Sequence, residues 1–368
     1  MSAFEARTRA CQQRLRERGA GGVVLFPSPN CYYLGGFREE PGERHLFLFV
    51  PAEGDPAFVA PELYGEQLRE ATWVEDVRLW GDAEDPTDLV EAVAADLGMT
   101  DGELLVDPTM WARFTQDLRA TLPEATWGLA DDVLGPLRVR KDDAELDALR
   151  RAADAADAAM DDVRDLGADA VGMTERELAD YVADRLAAHG GDGTSFETIV
   201  GSGPNGAKPH HHRSEREVEA GDPVVFDFGT RVDGYPSDQT RTVVFADDPP
   251  EGFERVHETV REAQQAAVDA VEPGVPAEAV DAAAREVIAD AGYGDEFVHR
   301  TGHGVGLDVH EEPYIVEGND RPLEAGMVFS IEPGVYLGGE FGVRIEDLVV
   351  VTGDGCERLN DTDRGWRA

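Results

Sequence analysis

The clearest alternation of apolar and polar positions lies between Pro223 and Phe245, PVVFDFGTRVDGYPSDQTRTVVF. Val224, Val225, Phe226 and Phe228 make one apolar strand, Asp233-Gly234 is a two-residue turn signal, and Tyr235 to Phe245 returns with β-branched residues. The stretch therefore predicts a β-hairpin. With the turn at Asp233-Gly234, Asp227 lies opposite Thr240, and Asp238 stands two residues from Thr240 on the same face of the pleat. Two carboxylates then converge diagonally among Val and Phe, where an unpaired acid either takes a proton or binds a cation. No Lys or Arg obviously shares that face. The plainer alternative is a solvated hairpin in an acidic chain.

Before the hairpin, residues 1–135 alternate short strands and helices. Strands are expected at Gly22–Phe26, His45–Val50, Ala57–Ala60 and Glu103–Val106, and helices near Pro86–Leu97 and Met110–Leu122. This predicts an α/β domain without a chemical motif, its Trp73, Trp80 and Trp111 serving core or interface. Gly135–Lys141 reads as a linker into Asp142, a helix N-cap with Glu145 three residues on, so a second domain is expected over 136–368.

That second region repeats itself. A helix with Leu146, Leu149, Ala153, Ala156, Met160 and Val163 on one face is followed by a helix capped by Thr174 with Glu177, then by the hairpin. Two more helical stretches, Glu251–Val271 and Pro276–Ala291, lead to another acid-bearing strand. EAGDPVVFDFG (Glu219–Gly229) matches EAGMVFSIEPG (Glu324–Gly334), which makes Asp227 and Glu332 equivalent. Duplicated halves pack about a pseudo-twofold axis, so these two acids are expected to meet.

Composition changes the picture in one respect. The formal net charge is -43, with 76 Asp and Glu against 33 Lys and Arg, of which only Lys141 and Lys208 are lysines. Acids spread along the whole chain disfavour nucleic acid and anionic membrane as partners, and suit a high-salt interior that screens self-repulsion. Cys11, Cys31 and Cys356 share no metal-binding spacing, and the opening MSAFEARTRA has no apolar signal core; a reducing cytoplasm is the expected setting.

Each half supplies further candidate donors: His210 and Asp238 in the first, His303 and Glu346 in the second. Asp227, Asp238, Glu332 and Glu346 with His303 form an oxygen-dominated set too negative for one divalent ion, and two ions fit better. GHGVG lacks the spacing of a phosphate loop.

DFGTRVDGYPSDQTRT, TGHGVGLDVHE, SIEPGVY and GVRIEDLVVV, with the five donors at their spacing, resemble the pita-bread metallopeptidases, specifically the prolidase and aminopeptidase P branch with a creatinase-like N-terminal domain. The resemblance spans the chain. It implies an α+β protein, a creatinase-like α/β domain followed by a pseudo-twofold pita-bread domain, acting as an Xaa-Pro aminopeptidase or dipeptidase on short peptides with proline second. It also implies that Asp238 and Glu346 bridge two divalent ions, that Asp227 completes one and that His303 with Glu332 completes the other. Manganese is favoured, with cobalt, zinc or iron as alternatives. Glu332 is implied as proton shuttle, His210, His299 and His310 as site-lining histidines, and Arg344 as a partner of a ligand carboxylate or the substrate. His210 is preferred over His211 and His212, which are read as solvated loop residues. Tyr235 and Tyr314 are read as packing residues. A homodimer is implied, the first domain walling the cleft. Two other classes, a metal-free creatinase-like hydrolase and a non-catalytic peptide-binding module, would lack this donor set.

Overall fold

In the computed structural model, which describes residues 2–368, the chain divides into two units, Met1–Arg138 and Val139–Ala368. In the first unit, apolar runs pair into a six-stranded mixed sheet ordered Asp76–Trp80, Ala57–Pro61, Phe47–Pro51, Gly22–Leu25, Asp101–Val106, Glu124–Leu129. The central strands are buried along their full length, which is why they read as continuous apolar runs rather than as alternation. Helices Pro86–Asp96 and Ala112–Thr121 close the core through Val90, Val93, Phe114 and Leu118.

Several elements of this unit lie outside the sequence expectations. Helix Ala3–Arg18 buries Arg7, Thr8 and Gln12 beside Cys11 and Leu15, so no apolar stripe marks it. The outer strands Asp76–Trp80 and Glu124–Leu129 are mostly half-exposed and lack a clean pattern. The expected linker Gly135–Lys141 is also corrected, because Asp131–Arg138 is a helix. Pro136 removes a backbone donor only two residues before the helix ends; Val133 and Leu134 are buried, and Arg138 Nη1 donates to Asn30 Oδ1 at 2.7 Å.

In the second unit each half contributes a helix pair. Asp143–Asp165 and Glu175–Ala188 both start in capping boxes, at Asp142 with Glu145 and at Thr174 with Glu177. Phe253–Asp269 and Ala277–Asp290 form the second pair. The hairpin keeps one register throughout: Asp227 pairs with Thr240 and Val232 with Tyr235. Its turn has Asp233 at φ 51° and Gly234 at φ 88°, the left-handed pair that a two-residue hairpin loop requires. Strands Ile199–Ser202, Pro223–Phe228 and Gln239–Val244 form one sheet, and a five-stranded sheet in the second half carries Gly302–Gly304, Val328–Ile331 and Asp347–Val351. The halves join where Thr240 bridges Glu346, with the Glu346 N–H donating to Thr240 O at 3.1 Å.

Candidate metal centre

All five candidate donors sit on strands or strand ends that the fold directs into one cavity of about 310 Å³. Asp227 comes from Pro223–Phe228, Asp238 from just before Gln239–Val244, and His303 from Gly302–Gly304. Glu332 follows Val328–Ile331, and Glu346 precedes Asp347–Val351. The glycines beside His303 are needed for close approach. A Cβ on Gly302 would lie 1.8 Å from Ser330 O, and one on Gly304 2.2 Å from Glu312 O.

Ligand atoms of Asp238, His303 and Glu346 all lie within 4.8 Å of one another. His303 Nε2 is 3.6 Å from Asp238 Oδ2 and 3.3 Å from Glu332 Oε1. Thr240 Oγ1 donates to Glu346 Oε2 at 2.6 Å, and Ser330 Oγ donates to Glu332 Oε1 at 3.1 Å. The positive charge missing from the hairpin arrives from the other half: Arg344 Nη2 donates to Asp227 Oδ2 at 2.5 Å, Nε to Thr240 Oγ1 at 3.1 Å and Nη1 to Tyr336 OH at 2.8 Å. At 3% exposure Arg344 belongs to the site and not to a solvated strand face.

One arginine does not neutralise four acids. Burial, then the neighbouring Glu346, Asp227 and Glu332, pushes Asp238 well above the carboxylate range. Burial with Glu332 and Asp227 does the same to Glu346. Burial raises Glu332 to about 7, Arg344 opposing, and raises Asp227 against the pull of Arg344. Burial meanwhile holds the His303 imidazole neutral, down to about 3. Acids forced toward protonation around a neutral imidazole form a site that favours added cations. Asp227 Oδ1 is buried without a hydrogen-bond partner, and the other donors face the same space. Four carboxylates and one imidazole fit divalent ions that accept oxygen-rich ligation.

Around this set His299, His310 and His210 line the cavity. His299 Nε2 is 2.8 Å from Tyr336 OH, and burial lowers it to about 4. The His310 ring centre is 4.1 Å from that of His303, and burial lowers its pKa too. His212 is solvated, as expected, but His211 is not: its side chain is 9% exposed and its Nε2 lies 2.7 Å from the buried Glu175 carboxylate. Tyr235 is buried and its OH donates to Glu145 Oε1 at 2.9 Å. Tyr314 does more than pack, carrying the Arg300 guanidinium 4.5 Å from its ring centre. Tyr336, Thr240, Arg300 and Glu175 were missed in the sequence; for Thr240 the available signal was its register opposite Asp227, and for Tyr336 its place four residues after Glu332.

Duplicated halves that bring paired carboxylates and one histidine into a single buried pocket define a metallohydrolase of the pita-bread class. Comparison with known proteins makes the family explicit. Residues 147–353 match "Metallopeptidase family M24" and residues 7–140 match "Creatinase/Prolidase N-terminal domain". The chain is 44% identical over 349 residues to a "Probable dipeptidase PepE" of Mycobacterium tuberculosis, covering 94% of this chain and 91% of that one. It is 37% identical over 358 residues to an "Xaa-Pro dipeptidase" of Lactobacillus delbrueckii subsp. lactis, covering 96% of each. Among solved structures, the prolidase of Thermococcus sibiricus superposes with a TM-score of 0.94 at 41% identity, covering 100% of this chain and 99% of that one. The chain belongs to metallopeptidase family M24 and is a metal-dependent peptidase. Among the described residues no helix is long and apolar enough to cross a membrane.

Proposed function

We propose that this peptidase is a two-metal dipeptidase that hydrolyses Xaa-Pro dipeptides. The observation that carries this reading is the convergence of Asp227, Asp238, His303, Glu332 and Glu346 on one cavity, with Arg344 hydrogen-bonded to only one of the four acids. These five residues would hold two divalent ions, Asp238 and Glu346 between them; carboxylate-rich ligation favours manganese. When bound, the ions supply a water activated near neutral pH and polarisation of the scissile carbonyl.

The chain's own residues do the rest. Glu332 takes a proton at a carboxylate oxygen and delivers it to the leaving imino nitrogen. His310 and His210, at the cavity wall, donate to the oxygen that gains charge at the reacting carbon. Arg344 holds Asp227 and, through Tyr336, His299. A cavity near 310 Å³ is at the small end of ligand pockets, roughly 300–1,000 Å³, and suits a dipeptide. Arg300 lines it, its guanidinium 4.5 Å from the Tyr314 ring centre. In so acidic a chain, that cation supports recognition of a free α-carboxylate, which a dipeptide presents and a longer peptide places elsewhere. The names of the Mycobacterium and Lactobacillus relatives support the same substrate class.

The test is metal analysis together with hydrolysis of Xaa-Pro, Xaa-Pro-Yaa and Met-Ala-Yaa peptides. The expected result is two ions per chain, turnover of Xaa-Pro lost on chelation and restored by manganese, and a raised KM for Xaa-Pro in Arg300→Ala. Full activity in exhaustively chelated protein, or a preference for Met-Ala-Yaa, overturns the reading.

A further inference from the structure

Glu175 opens helix Glu175–Ala188, is 0% exposed and stands outside the metal-facing donor set. Its carboxylate nevertheless collects six hydrogen bonds. Oε1 accepts from Ser202 N at 2.9 Å, Ser202 Oγ at 2.8 Å and Asn205 Nδ2 at 3.0 Å. Oε2 accepts from His211 Nε2 at 2.7 Å, Ser214 N at 2.9 Å and Ser214 Oγ at 2.6 Å. Burial alone would raise this acid, but the donors from Ser214, Ser202, Asn205 and His211 outweigh it and hold it down to about 2. A buried anion is tolerable only when its lone pairs are filled, so removing it leaves up to six donors without their acceptor.

All six donors belong to one segment, residues 202–214, which carries His210 and lines the cavity with residues 209–212. The helix start adds two backbone ties to its end, Glu175 N–H to Arg216 O at 3.0 Å and Arg176 N–H to Ser214 O at 3.2 Å. His210 sits between two anchors. On one side Pro209 O accepts from Arg344 Nη1 at 3.4 Å, and on the other His211 is fixed to Glu175. His210 itself lines the cavity, in which Asp227 also lies.

We propose that Glu175 is a positioning residue that fixes the His210 imidazole over the acid cluster by gathering the donors of residues 202–214 onto one buried carboxylate. The inference rests on the peptidase reading, in which His210 meets the substrate. His211 is the linking side chain, locked by Glu175 so that its neighbour keeps one direction. Because an imidazole misplaced by about 1 Å can lose up to ~10²-fold in rate, the geometry makes Glu175 matter to turnover without touching substrate.

A double-mutant cycle in the metal-loaded full chain tests this, with kcat and KM for an Xaa-Pro dipeptide, metal content and amide hydrogen exchange of residues 202–214 read together. Glu175→Gln, which puts an NH₂ where donors already point, is expected to lower kcat about 10- to 100-fold, with both metals retained and faster exchange in 202–214. In a His210→Ala background the same change should cost nothing further. Ser214→Ala, which removes one donor, should show a smaller loss with the same dependence on His210, and it decides the matter if Glu175→Gln does not fold. Losses that multiply between Glu175→Gln and His210→Ala, or an unchanged kcat in Glu175→Gln, overturn the positioning role while leaving the peptidase intact. Absence of Xaa-Pro turnover in the unsubstituted protein instead removes the functional reading, and the inference with it.

Discussion

Thr240 is the most informative single position for the metal centre, because its hydroxyl connects the arginine of the site to one of its acids. It accepts from Arg344 Nε at 3.1 Å and donates to Glu346 Oε2 at 2.6 Å, fully buried in both contacts. Thr240→Val keeps the β-branched shape and the strand pairing to Asp227, and deletes only the hydroxyl. A hydrogen bond to a charged group contributes about 1.5–3 kcal/mol, and Glu346 loses the one side-chain donor that favours its ionised form. Its pKa, already raised by burial, then rises further, and a cation must displace a proton held more tightly. At about 1.4 kcal/mol per tenfold, metal affinity should fall about 10- to 150-fold, with a larger loss at lower pH because more of Glu346 is protonated there. Competition with a chromophoric chelator at two pH values measures it, with Thr240→Ser, which keeps the hydroxyl, as control. Affinity unchanged in Thr240→Val, or a loss as large in Thr240→Ser, would refute the reasoning.

What the sequence showed follows the physics of each signal. Asp227 opposite Thr240 was readable because Asp233-Gly234 admits only a tight turn, and a tight turn fixes register in both directions. The duplicated EAG segments brought Glu332 into the same cavity as Asp227. Compensation was readable only through the family resemblance, which implied Arg344 as partner of a ligand carboxylate; Arg344 reaches Asp227 from 117 residues away, and no periodicity encodes such a contact. Glu175 was invisible for a different reason. In TERE it looks like any acid placed in a first helical turn for the dipole, and only the fold reveals the six donors converging on it. Helix Ala3–Arg18 escaped because its buried face is partly polar, with Thr8 bonded to Leu34 O and Gln12 to Pro51 O.

Asp238→Ala should abolish turnover and lower metal content at both positions, whereas His310→Ala should keep the metals and slow turnover by about 10²; stoichiometry and rate measured together check this, and two ions retained in Asp238→Ala would falsify the bridging role. With a net charge of -43, the fold should lose stability in dilute buffer and regain it in ~1 M salt, where the Debye length is about 3 Å; a melting temperature independent of salt refutes this. The last prediction concerns His257, on helix Phe253–Asp269, 3% exposed and with Nε2 lacking a hydrogen-bond partner. Burial lowers it from 6.5 to about 4. The unfolded chain therefore binds its proton near 6.5 and the native chain only near 4, so the contribution of neutral His257 is present above 6.5 and is lost as pH falls through that window. At pH 5 the difference amounts to about 2 kcal/mol, and at pH 7 to a few tenths. His257→Phe keeps an aromatic ring against Phe253 and removes the titration. Denaturant unfolding in high salt should show the unsubstituted protein losing about 2 kcal/mol more than the variant between pH 7 and pH 5. Parallel losses in the two proteins would mean that the buried imidazole is not the source of the acid sensitivity.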